Sequence, residues 1–216
     1  MPPPFPSFAV HQFTAMTITS TLFNRIFQES IETYHVTDDI HFPCPNSYEK
    51  GTLGFLLFEK NWIDTAQWHM EDLIRVVDVD PAEAIQLKRE IDVSNQLRTD
   101  RVEQLEDFFF SHFSGVKVEE NARMNTETIG WAIDRLSILN LKLYHFREET
   151  EREGISPEHR QKCEQKLAIL QEQYADLSQS IDDLLDEIAA GKCQMKVYRQ
   201  MKMYNDAELN PMLRKN

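Results

Sequence analysis

In "IDVSNQLRTDRVEQL", residues 91–105, two polar residues interrupt an apolar helical seam. Leu87, Ile91, Val102, Leu105 and Phe109 recur on one face, and Asn95 and Arg98 occupy the positions that would continue it. A guanidinium facing an interior without an acid costs several kcal/mol, about what an unpaired buried charge costs in general. Arg98 therefore needs carboxylates from the helices that pack against it. Asp64, Glu71, Asp72 and Asp134 are the candidate acceptors, and Asn95 can both donate and accept in the same network.

Two further stretches supply these groups. In "NWIDTAQWHMEDLIR", His69 lies on the face of Phe58, Trp62, Ala66 and Leu73, while Asp64, Trp68, Glu71 and Arg75 follow an adjacent stripe with Asp72 beside it. In "GWAIDRLSILNLKLYHF", one line carries Asp134 or Arg135, then Ile138, Lys142 and His145. Two readings stay open. One is a satisfied structural network that sets helix register, with His69 a core histidine. The other is a polar pocket inside a helical bundle. In the pocket, Arg98, Arg135, Lys142 and His145 would hold anionic oxygens, alongside Asp64, Trp68, Asn95 and Asp134. Glu71, Asp72, Asp100 and Glu103, with His69, would act as acid/base groups, and the carboxylates could hold a divalent metal such as magnesium.

More specific chemistries find weak support. A carboxylate-bridged metal pair needs two Glu-x-x-His motifs, and Glu32 to His35 is the one true copy, with Asp38 to His41 and His69 to Asp72 as poorer relatives. Glu103 to Glu106 supplies the Glu-x-x-Glu of a helical pyrophosphohydrolase, but no Glu-x-x-Asp follows it. There is no phosphate-binding glycine loop, dinucleotide fingerprint, zinc-spaced Cys/His cluster or nucleophile elbow.

Composition narrows the partners. A net charge of -13 over 216 residues disfavours nucleic acid and anionic membrane surfaces, since phosphate contact depends on basic surface. No apolar run approaches the roughly 20 residues that span a bilayer. Cys44, Cys163 and Cys193 are scattered and odd in number, which argues against a disulfide framework and points to a reducing cytoplasm. The opening "MPPPFPSFAVHQFTAM" has no basic leader and reads as a disordered tail, or as sequence ahead of a true start at Met16.

The elements that must position these groups are helices. Outside the N-terminus and the 43–45 loop, proline occurs at 81, 157 and 211 only, leaving long proline-free stretches. Asp80 before Pro81 and Ser156 before Pro157 are N-cap signals, and Asn125 or Thr126 is a third. The expected fold is a single all-α domain over 17–216. Its five long helices cover about 17–36, 51–77, 81–113, 126–152 and 157–190, and a shorter sixth covers 192–204, with ends uncertain by roughly 2 to 4 residues. The fifth helix steps by four and three through Cys163, Leu167, Leu170, Tyr174, Leu177 and Ile181, a heptad seam that packs within its own bundle or forms a homodimer. Lys192, Lys196, Arg199 and Lys202 make a basic tail without an acid. They either answer the acids of 182–187, or close with Tyr204 over a phosphate or a partner protein's acidic surface.

Several blocks taken together resemble a known family. They are "NWIDTAQWHMEDLIR", "LKREIDVSNQLRTDRVE", "NTETIGWAIDRLSILNLKLYH", "HRQKCEQKLAIL" and "KVYRQMKMYND". The family is the bacterial domain of unknown function 4254, and the similarity runs from about residue 17 to the C-terminus. It implies a small cytoplasmic protein of a kind that tends to sit near glycosyltransferase genes, and it brings no activity with it. The expectation is a helical protein whose polar pocket binds or processes a phosphorylated or nucleotide-sugar compound with a divalent metal. The alternative is a non-catalytic adaptor using the heptad helix and the basic tail.

Overall fold

Three of the five described helix starts follow local capping chemistry. In the computed structural model, which describes residues 17–203, 206 and 208–214, five helices succeed one another. They are α1 (Ser20–Tyr34), α2 (Leu53–Leu73), α3 (Pro81–His112), α4 (Ile129–Glu151) and α5 (Pro157–Ala189). The proline-rich start and Tyr204 lie outside the described residues. Asp80 accepts hydrogen bonds from the Ala82 and Glu83 amides, and Ser156 accepts one from His159, each with proline at the first helical position. Those side chains satisfy amides that the first helical turn leaves without partners.

The start of α4 is set at a distance. Asn125 and Thr126 do not cap it; the N-cap is Thr128, whose own side chain caps no amide. Instead Glu106 of α3, fully buried, accepts from the Gly130 amide at 2.7 Å and from the Thr128 hydroxyl. Burial pushes the Glu106 carboxyl up, opposed by those donors. Glu106, noted in the sequence only as the second acid of an incomplete Glu-x-x-Glu pattern, acts here as the cap of a neighbouring helix.

The expected sixth helix is absent among the described residues. Gly191 ends α5 in the left-handed region at φ 74°, where an added Cβ would run into the Lys117 carbonyl. The chain then forms β2 (Cys193–Gln194), a two-residue parallel pairing with β1 (Arg123–Met124). The following segment runs without helix along α3. Arg199 pairs with Asp107 at 2.6 Å and with Glu103, and the Lys202 ammonium donates to Thr99 and to the Asn95 carbonyl. Arg199 and Lys202 thus lie on α3 instead of answering the acids of 182–187, while Lys192 and Lys196 have no side-chain ion pair or hydrogen bond among the described residues.

Helix α4 contacts each of the other four, so it is the hub of the bundle. Phe23, Phe27, Leu57, Leu105, Phe109 and Ile133 are fully enclosed at the centre. The seam of α5 packs on α4, with Ile181, Leu184 and Ile188 buried and Leu167, Leu170 and Tyr174 half-buried. None of the described helices is long and apolar enough to cross a membrane.

Candidate functional site: a buried charge tetrad and a histidine cluster

The opposed charges of α2, α3 and α4 meet where these helices pack. Lys60, at 0% exposure, bridges Asp64 one turn along α2 and the Asp134 Oδ1 of α4 at 2.9 Å. Arg98 of α3 donates from Nε to Asp134 Oδ1 at 3.0 Å and from Nη2 to Oδ2 at 2.8 Å, and its Nε also lies 3.0 Å from Asp64 Oδ1. The Ser137 hydroxyl donates to Asp64 Oδ2 at 2.6 Å and accepts from the Asn61 amide at 3.0 Å. Two cations and two carboxylates balance, which is the condition for burying them at all.

The two carboxylates are held unequally. Burial pushes the enclosed Asp64 carboxyl up, against the pull of Lys60 and Arg98. At Asp134 burial also pushes up, but Lys60 and Arg98 outweigh it and hold the group below the usual carboxylate range. Asp64 is the more deeply enclosed and also feels the Asp134 charge, whereas Asp134 takes both the charge and the hydrogen bonds of Lys60 and Arg98, which together separate the two directions.

Arg98 lies between two hollows. One, of about 570 Å³ between α4 and α5, is lined by Arg98, Asp134, Arg135, Lys142 and Asp176 among others. The other, of about 290 Å³, takes Arg98, Asp64, Trp68, Glu71, Asp72 and Arg75. Asp64, Arg98 and Asp134 therefore come together, with Trp68, Glu71 and Asp72 on one side and Arg135 and Lys142 on the other. Arg135 is paired with Glu127 at 2.8 Å and Glu71 with Arg75 at 2.7 Å, both at the surface.

Other expected site residues lie elsewhere. Asn95 is not in the Arg98 network; its side-chain oxygen accepts from Gln67, which in turn accepts from Ser94. Asp100 accepts from Gln96, and Glu103 accepts from Arg199 and the Gln200 amide; neither lines the two hollows. Glu71, Asp72, Asp100 and Glu103 do not form a cluster with metal-ligand spacing. The reason is angular: Asp100 and Glu103 sit on a part of α3 turned away from α2.

His69 and His145, expected at the site, form a second constellation with a residue that sequence reasoning did not join to them. His35 caps α1, and its Nε2 lies 3.2 Å from His69 Nε2 of α2, while the three rings have centroids 5.2 to 5.4 Å apart. Each ring is backed by an aromatic one: Tyr34 on His69, Tyr144 on His35 and Trp68 on His145. Burial, followed by the neighbouring imidazole of His35, lowers the His69 pKa. Burial lowers that of His145 too, against the hydrogen bond of Glu148. Lys60 was missed as well. Its i,i+4 spacing to Asp64 was the available signal, and that spacing ordinarily marks a solvated pair.

A profile of the family described as Protein of unknown function (DUF4254) matches residues 55–197. The chain belongs to this family. The matched stretch holds the whole tetrad together with His69 and His145, whereas His35 and α1 precede it. Neither a curated protein nor a solved structure matches the chain.

Proposed function

We infer that the protein binds an anionic small molecule, a phosphorylated or nucleotide-sugar compound, in the hollow between α4 and α5, with Arg98 as the anchoring cation. What supports this is the incomplete use of Arg98. Its pairing with Asp134 takes Nε and Nη2 and leaves Nη1 over, and 27% of the side chain remains exposed at the hollow. Lys60 bridges both carboxylates from the interior, and Arg98 completes the charge balance from the rim, where its remaining edge can face the hollow. Lys142 stands on the same wall with no ion-pair or hydrogen-bond partner among the described residues. Phosphate oxygens suit a guanidinium edge and an ammonium placed in this way. A volume of about 570 Å³ suits a drug-sized ligand.

Calorimetric titration of the full chain with UDP-glucose and with glucose 1-phosphate tests the reading. Saturable binding by either, weakened by added salt and by loss of Lys142, is the expected result. No heat from either at millimolar concentration would sink it and move the assignment to an adaptor. The adaptor reading draws on α5, where Ile169 is 55% exposed beside the half-buried Leu167 and Leu170. The basic tail lends it less, since Arg199 and Lys202 are engaged on α3.

A further inference from the structure

The geometry points to a binding site for a first-row divalent transition metal, zinc foremost, formed by His35, His69 and His145, with a fourth position open to the hollow of Asp38 and Asp72. It goes beyond the anion-binding reading and does not depend on it.

The first support is distance. The ligating atoms of the three rings lie within 4.8 Å of one another, and His35 Nε2 and His69 Nε2 are 3.2 Å apart. Two nitrogens each about 2.0 to 2.1 Å from zinc at a tetrahedral angle lie roughly 3.3 to 3.4 Å apart. That edge has the right length; with His35 Nε2 accepting across it, His69 Nε2 carries the proton that the metal would displace, and the remaining edges, all within 4.8 Å, close by at most roughly 1.4 Å.

The second support is tautomer control. His35 Nδ1 lies 2.7 Å from the Ile31 carbonyl oxygen, which can only accept. Nδ1 therefore carries the hydrogen, and neutral His35 offers a lone pair at Nε2. His145 repeats the arrangement, with Nδ1 3.0 Å from the Glu148 carboxylate. Its Nε2 is buried without a hydrogen-bond partner among the described residues, an orphaned acceptor beside the other two rings. A histidine that gives one ring N–H to a carbonyl or carboxylate and presents the other nitrogen inward matches the way metal-bound histidines are oriented.

The third support is the surroundings. The side chains of His35 and His145 are 10% and 20% exposed, and the aromatic backing fixes each ring against rotation. One side opens to a hollow of about 400 Å³ lined by His69, Asp38 and Asp72. Asp38 Oδ1 is 3.9 Å from His35 Nε2, on a residue held at φ 50°, a left-handed conformation uncommon outside glycine. Three imidazoles and no thiolate select zinc, cobalt, nickel or copper over magnesium, which takes oxygen ligands. Three protein ligands with one position left for water or a carboxylate is the donor count of an open zinc site.

The test is titration of the metal-stripped full chain with zinc against a chromophoric chelator. One equivalent binding at micromolar or tighter is expected. His69→Ala and His145→Phe should weaken it by about a hundredfold or more, and Glu148→Gln by about tenfold, the usual scale for an outer partner. Phenylalanine keeps a flat ring against Trp68, and circular dichroism checks that each variant folds. His159→Ala serves as the control at Glu149, His159 and Cys163, the other cluster with ligand spacing. It should leave the affinity unchanged. In the unmutated protein, cobalt should give four-coordinate visible bands and two shifted exchangeable ring N–H resonances, from His35 and His145. Zinc binding that survives both ligand variants, zinc binding lost in His159→Ala, or no binding below about 10 µM would each overturn the site.

Discussion

Arg98 meets Asp134 edge-on, Nε to Oδ1 at 3.0 Å and Nη2 to Oδ2 at 2.8 Å, while Lys60 reaches the same Oδ1 from the interior at 2.9 Å. One carboxylate of α4 is thus gripped by α3 and α2 together. The two cations differ in burial, Lys60 at 0% and Arg98 with 27% of its side chain exposed. Breaking a buried pair costs roughly 3 to 5 kcal/mol because it strands a charge. Lys60→Met should reach that range in urea unfolding. Arg98→Met should cost no more than about 3 kcal/mol, since Lys60 still faces both acids. Equal or reversed losses would show that Arg98 holds the tetrad together and leave it no spare capacity for a ligand.

Lys142→Ala removes an exposed side chain with no partner among the described residues. Its stability should stay within about 0.5 kcal/mol of the parent. If Lys142 touches phosphate, affinity for UDP-glucose should fall about tenfold, the worth of one charge-assisted hydrogen bond. A change in melting temperature without a change in affinity would place Lys142 outside the ligand site.

Gly130→Ala tests the cap on α4. Within a helix this change ordinarily gains about 1 kcal/mol. Here the new Cβ would sit 2.5 Å from Glu106 Oε1, and that carboxylate is pinned by the Gly130 amide and the Thr128 hydroxyl. Displacing it gives up the cap, so the net effect should be a loss of about 1 to 3 kcal/mol, the usual range for overpacking. A stabilised variant in thermal unfolding would mean that Glu106 moves aside freely.

Asp134→Asn separates the two carboxylates by pH. The charges of Lys60 and Arg98 hold the folded Asp134 value below its unfolded value, near 3.9 for an aspartate in general. Such a group contributes stability that is fully present above the unfolded value and is lost as pH falls through the folded one. The deficit of the variant should therefore stay constant from about pH 7 to 5 and shrink below about pH 4. Denaturant midpoints for both proteins across that range measure it, and a deficit unchanged at pH 3 would contradict the assignment.

The limits of sequence reading show at individual residues. The starts of α3 and α5 were legible because Asp80, Pro81, Ser156 and Pro157 act on amides two or three positions away. The need of Arg98 for acids was legible too, and two of the four acceptors named for it are the ones it meets. Lys60 was not, because its pairing with Asp64 looks identical on a wet helix face; α4 closing over α2 is what buries it. Glu106 stood out only as half of an incomplete Glu-x-x-Glu pattern, and it caps another helix. Arg199 and Lys202 looked like one face of a sixth helix, and β1 and β2 diverted them onto α3.

The sequence by itself determined five helices, the starts of α3 and α5, and the requirement that charge be compensated inside them. Which charges face one another, and that His35 stands beside His69 and His145, was decided only by the tertiary structure. Capping and periodicity act within a turn or two of backbone. A contact between helices depends on how each is rotated about its axis, where one residue of register turns a side chain by about 100°.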